Sequence, residues 1–265
     1  MKMVTGVFSS ATDAHRALQA LRSNGFPEDK LTLLSPGDAP KDVEEVPVNA
    51  SEQPGMGKAI GAVVGAVGGL SGGTLLMTAL LPGVGLITVA GLLGAAIVGA
   101  AGAGVGAAAG ESLENAMTDG LPEDEIFVYE DALRRGRTVM IAAAEGSSTA
   151  DRVGEILKIH GAESIDDARQ QWWTGLRSAE QEHYSASASG QSLADDEKFF
   201  RLGFESALHA RNRCREFDAA SGEMNSKLEG LKNQHPDARV EELFVRGYRR
   251  GREYYQRLCD HDKAA

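Results

Sequence analysis

Residues 2–35 read KMVTGVFSSATDAHRALQALRSNGFPEDKLTLLS, and they carry a strand, a helix and a second strand in succession. MVTGVFS has the β-branched and aromatic content of a strand. SSATDAHRALQALRSNG then switches to helical spacing, with Ala14, Ala17, Leu18 and Leu21 on one face, a capping box from Ser10 to Asp13 and a glycine stop at Gly25. Lys30 to Ser35, KLTLLS, closes a βαβ unit. The same plan recurs a hundred residues on: RTVMIAAAE is a strand, SSTADRVGEILKIHG a capped helix with Val153, Ile156 and Leu157 inward, and AESI a short strand. Paired serines precede both helices, LRSNG ending at Gly25 echoes LKIHG ending at Gly161, and GFPEDKL echoes GLPEDEI. Two such units predict an α+β chain built on a ferredoxin-like, split βαββαβ domain. EDEIFVYEDALRR, residues 123–135, is an added helix.

What separates the two halves is unlike the rest of the chain. PGDAPKDVEEVPVNASEQPGM is a Pro-rich acidic connector, and between Lys58 and Glu111 stand 52 uncharged residues, 15 of them Gly and 13 Ala. At roughly 20 apolar residues per bilayer crossing, that run is long enough for two. LLPGVG, residues 80–85, is the natural place to fold back, so Pro82 and Gly83 are expected at a hairpin turn. Gly57, Gly61, Gly65, Gly69 and Gly73 recur every fourth residue, the spacing of a glycine zipper. Gly91 and Gly99 continue the spacing in the second arm, with Gly102, Gly106 and Gly110 on a neighbouring stripe. Small residues four apart let helix backbones approach closely in lipid. The expectation is a glycine-zipper helical hairpin inserted in a membrane, both termini on one side. A soluble homo-oligomer that buries the hairpin, and a flexible Gly/Ala linker, are the alternatives.

The rest of the sequence bounds the function. The chain has 265 residues and a net charge of −11, which disfavours a nucleic-acid binder. Two cysteines exclude a disulfide-stapled scaffold and fit a reducing compartment, and the N-terminus shows no apolar signal segment. The histidines are dispersed, and HExxH, CxxC, GxSxG and the P-loop are absent, so no metal, cofactor or catalytic residue is expected.

The parts divide as 1–56, first βαβ half and acidic linker; 57–110, hairpin; 111–166, second half; 167–192, linker; and 193–265, a C-terminal helical module. Trp172 and Trp173 stand at the entrance of that module and are expected to dock the linker. Two stretches of the module share an arginine, glycine, aromatic core, RLGFESA at Arg201–Ala207 and FVRGYRRG at Phe244–Gly251. Phe200, Phe204, Phe244 and Tyr248 are expected between two helices, with Gly203 and Gly247 allowing close approach. Arg246, Tyr248, Arg249, Arg250, Arg252 and Tyr254 form a candidate partner surface for anionic lipid, RNA or an acidic protein. A solvated helix face paired with nearby acids is the plainer alternative.

The apolar insert with its central PGVG, followed by GLPEDEIFVYEDALRRGRTVMIAAAEGSSTADRVGEILKIHGA, resembles the bacterial general stress protein (heat-induced stress protein) family. Gly120, Pro122, Glu123, Tyr129, Leu133, Arg134 and Gly136 match that family's pattern, and the resemblance covers about residues 3–166. It implies a stress-associated bacterial protein, often membrane-associated, with no defined activity and no catalytic residues to carry over. The resulting expectation is a non-enzymatic scaffold that self-assembles, located in the bacterial cytoplasm at or in the inner face of the membrane. Small-molecule sensing by the ferredoxin-like domain, and a zipper-lined pore, are the rival readings.

Overall fold

The computed structural model describes residues 1–37, 65–66, 76–81, 84–90, 125–187, 192–210, 212–213, 215–236 and 239–264. They fall into two compact units, Met1–Leu121 with Tyr129–Ser164, and Pro122–Val128 with Ile165–Ala265.

Among the described residues the first unit is a seven-stranded antiparallel sheet with helices. Its elements are β1 (Lys2–Phe8), α1 (Ala11–Ser23), β2 (Leu31–Pro36), β3 (Gly65–Ala66), β4 (Leu76–Leu81), β5 (Gly85–Ala90), α2 (Ile126–Arg134), β6 (Thr138–Ala144), α3 (Ser147–Ile159) and β7 (Glu163–Ser164). The division between the units falls within α2. The strand order is β3-β4-β5-β2-β6-β1-β7. β6 lies between β1 and β2, pairing Val4 with Ala142 on one side and Leu33 with Met140 on the other. The two crossover helices therefore each join strands that are parallel and one place apart.

The side-chain period of two sorts the sheet's faces. Phe8, Leu31, Leu33, Met140 and Ala142 point to α1 and α3 and bury Ala14, Ala17, Leu21, Val153 and Leu157 with them. Each fully buried aliphatic side chain contributes about 1.5–3 kcal/mol. Gly6, opposite Met140, shares this face, and a Cβ there would press within 2.9 Å of the Ala162 side chain. On the opposite face Val7, Leu34, Ile87, Val89, Val139 and Ile141 are also buried, and Tyr129 of α2 reaches Thr5 of β1 through a 3.1 Å hydrogen bond.

The helix ends follow the local sequence. Ser10 caps α1, its hydroxyl accepting from the Asp13 N–H at 3.1 Å and donating to the Asp13 carboxylate at 2.8 Å. Gly25 and Gly161 both take a positive φ, and in each case the next residue's N–H bonds back to a leucine carbonyl, Leu21 or Leu157, at 3.0 Å. The echo LRSNG/LKIHG is therefore one helix-stop geometry used twice. The serine echo is not: α3 begins after Gly146, with no side-chain cap.

The expected helical hairpin is corrected where the structure describes it. Gly65 lies in β3, and Leu76–Leu81 and Gly85–Ala90 are strands paired with each other and, through Leu33↔Ala90, with β2. The chain does reverse between Leu81 and Gly85, but its arms are extended. Two physical preferences decide this. Ile87, Thr88 and Val89 are β-branched and favour the pleated surface, and the exposed edge of β2 offers main-chain groups that a strand can satisfy. Gly57, Gly61, Gly69, Gly73, Gly91, Gly99, Gly102, Gly106 and Gly110, with the turn residues Pro82 and Gly83, lie outside the described residues. Among the described residues no helix is long and apolar enough to cross a membrane.

The second unit is helical: α4 (Ile165–Ser187), α5 (Leu193–Leu208), α6 (Ser221–Gln234) and α7 (Val240–Ala264). Residues 167–187, expected as linker, instead belong to a helix of 23 residues. A stripe four residues apart, Ala168, Trp172, Leu176, Glu180 and Tyr184, carries its inward face, and all but Leu176 are buried. The carboxylate in the fourth place disguises the stripe. α5 and α7 pack at backbone contact. A Cβ on Gly203 would overlap the main-chain carbonyl of Phe244, and one on Gly247 would overlap that of Phe200. Phe200 and Phe244, Gly203 and Gly247, Phe204 and Tyr248, Ala207 and Gly251 are equivalent positions of one repeated pattern. The contact is correspondingly reciprocal.

Candidate functional site

The polar groups of the helical unit are arranged around this packed pair. Trp172 and Trp173 are buried: Trp172 lies 4.8 Å from Phe127 and 6.0 Å from Phe204 between ring centroids, and Trp173 lies 5.7 Å from Phe204. The Trp173 indole N–H donates to Glu197 at 2.6 Å, and Arg177 donates to the same carboxylate at 2.8 Å. Burial alone would raise the Glu197 carboxyl, but these two donors outweigh it and hold it below the usual range.

Around Tyr184 the geometry is tighter. Its hydroxyl donates to Asp196 at 2.5 Å, and Arg239 donates to both oxygens of that carboxylate at 3.0 Å. Burial, reinforced by the Asp196 carboxylate, pushes the Tyr184 phenol up to about 12. It is a fixed donor and not a nucleophile at neutral pH. The Arg246 guanidinium lies 3.7 Å from the centroid of the Tyr184 ring and donates to the Tyr184 carbonyl at 3.0 Å. One turn on, Arg250 forms a two-pronged pair with Glu180 at 2.6 and 2.7 Å. Glu180 is only 2% exposed, and this fork neutralises its buried charge.

The six residues of the expected partner surface thus have different fates. Tyr248 is corrected to core: it is fully buried, and its hydroxyl donates to the carbonyl of Arg215 at 3.2 Å. Arg250 is committed to Glu180, and Arg252 forms an ion pair with Glu216. The Tyr254 ring packs 5.5 Å from Phe204. Arg246 and Arg249 line a cleft of about 660 Å³ that follows α7 from Glu241 to Glu253, roughly 18 Å of helix axis at 1.5 Å per residue. His183 and Tyr184 of α4 form its other wall. Sequence reasoning missed those two, because nothing in EQEHYSAS marks a wall unless α4 is recognised as a helix.

A smaller cavity of about 260 Å³ lies in the sheet unit at the ends of α1 and α3. Leu21, Phe26, Val153 and Ile156 line it, with Lys30 and Arg152 among its polar groups. Among the described residues no group of three His, Cys, Asp or Glu side chains is placed to hold a metal ion. Comparison of the chain with protein-family models, with curated proteins and with solved structures finds no match.

Proposed function

We propose that the chain is a structural, non-catalytic protein that assembles with copies of itself through a ferredoxin-like domain, in the stress-associated role implied by the sequence resemblance. The order β2-β6-β1-β7, with a helix crossing between β1 and β2 and another between β6 and β7, supports the ferredoxin-like reading. One observation carries the assembly reading. β1 pairs with β6 along all seven of its residues, but β7 covers it only at Gly6 and Val7. On that side Lys2–Thr5 has no strand partner among the described residues, and open main-chain donors and acceptors favour addition of another strand.

Sedimentation of the full chain over a range of concentrations tests this. A particle of two or more chains is expected, and a single-chain mass at every concentration overturns it. Liposomes added to the same preparation and floated through a density gradient test lipid association of the apolar run, which flotation supports and recovery in the lipid-free fraction refutes. The cavity between α1 and α3 favours a second reading, a small-molecule sensor. That reading requires a ligand-dependent rise in the melting temperature of the sheet unit and is lost if Val153→Trp, which fills the cavity, leaves the rise intact.

A further inference from the structure

We propose that the cleft along α7 binds a small organic or inorganic oxyanion, a carboxylate or a phosphate, with Arg249 as the contacting cation and Arg246 as the fixed donor beside it. This goes beyond the self-assembly reading and does not depend on it. The cleft volume, about 660 Å³, falls within the range of small-ligand sites. Its carboxylates share their cationic partners: Glu241 pairs with Lys232, Glu242 lies 3.3 Å from Arg239, which also holds Asp196, and Glu253 lies 3.4 Å from Arg250, which also holds Glu180.

Arg249 differs from the other cleft arginines. It is exposed, and among the described residues it makes no ion pair and no hydrogen bond. It stands three residues after Arg246, so those two are neighbours on the helix surface, and both line the cleft. Arg246 is held by the Tyr184 ring and carbonyl, and Arg250 by Glu180. Of the two proposed binding groups, Arg246 is held in place before a ligand arrives, which removes part of the ordering cost of binding. A planar guanidinium suits the paired oxygens of a carboxylate or phosphate. The chain's net charge of −11 repels anions at long range, so binding must come from this local arrangement and weaken as salt screens it.

Calorimetric titration of the full chain with inorganic phosphate and, separately, with citrate tests the proposal and distinguishes the two oxyanions. Saturable binding of at least one is expected, weakened about tenfold or more by Arg249→Gln, the loss of one charge-assisted contact. Arg249→Lys keeps the charge without the fork and should retain part of the affinity. Arg257→Gln removes an exposed arginine of the same helix outside the cleft and should change nothing. Since Arg249 is exposed and makes no ion pair or hydrogen bond among the described residues, its variants are expected to keep the fold, which the buried tryptophans report by fluorescence. Absence of binding by both anions overturns the proposal. So does binding that Arg249→Gln weakens no more than Arg257→Gln does.

Discussion

Glycine does opposite things in the two units. In the sheet unit Gly25, Gly136 and Gly161 end helices in a positive-φ conformation, with open space where a side chain would stand. In the helical unit Gly203, Gly247 and Gly251 sit inside helices, and what they supply is the missing Cβ, since the neighbouring helix's carbonyls occupy its place. Both units bury polar groups: the sheet unit buries Glu130 and covers most of the Arg137–Glu163 pair, beside exposed pairs such as Arg16–Asp13, and the helical unit buries Glu180 and Asp196 opposite Arg250 and Arg239. At those helix-ending glycines a side chain would meet no neighbour and would cost only backbone strain. At Gly203, Gly247 and Gly251 it has no room.

The largest test of this contrast is Gly247→Leu. The side chain cannot enter without parting α5 from α7, so a loss of about 4 kcal/mol or more is expected. Both of the chain's tryptophans lie in the helical unit, so denaturant unfolding followed by their fluorescence reads that unit alone. Next comes Glu180→Gln, which removes the buried partner of Arg250 and leaves it only the exposed Glu253, and should lower stability by about 3 kcal/mol on the same readout. A smaller change is expected in the sheet unit. Gly161→Ala forces a left-handed backbone onto an L side chain and should lower the protection of β6 amides against hydrogen exchange by about 1–2 kcal/mol. A change as large as that of Gly247→Leu would break the contrast.

The smallest effect is one of pH. Glu197 titrates below its unfolded value, so its stabilisation is fully present above that value and is lost as pH falls through the lower folded one. Asp131 in the sheet unit has the opposite sign. Burial raises its carboxyl despite Arg135 and Arg134, so ionising it as pH rises through the window above its unfolded value reduces stability. Acid titration into the range of ordinary carboxylates should therefore weaken the tryptophan-reported transition, and Glu197→Gln should flatten that dependence.

Legibility followed the range of the interactions. β1, α1, β2, β6, α3 and β7 are each announced by alternation, by helical spacing or by a glycine stop within a few residues. Their order alone suggests two crossover units. The described strands of the apolar insert were misread because Gly and Ala at fourfold spacing suit a helix as a local pattern, while the β-branched run Ile87–Val89 and an open β2 edge settle the matter only once β2 has a place. In the helical unit, FxxG-aromatic at Phe200 and Phe244 signalled close packing directly. α4 was missed because a buried glutamate interrupts its apolar stripe, and that glutamate makes sense only opposite Arg250.

The sequence by itself determined the α+β class, the two crossover units, the helix stops at Gly25 and Gly161 and the glycine-aromatic contact of the C-terminal helices, because each is set by neighbours in the chain or by one repeated pattern. Only the tertiary structure decided which arginines are committed. Arg246, Arg249, Arg250 and Arg252 are alike as letters, and what separates them is the group each meets from elsewhere: a tyrosine face, solvent, a buried glutamate and Glu216. Charge pairing is fixed by distance in space, and residues 70 positions apart, as Glu180 and Arg250 are, acquire that distance only by folding.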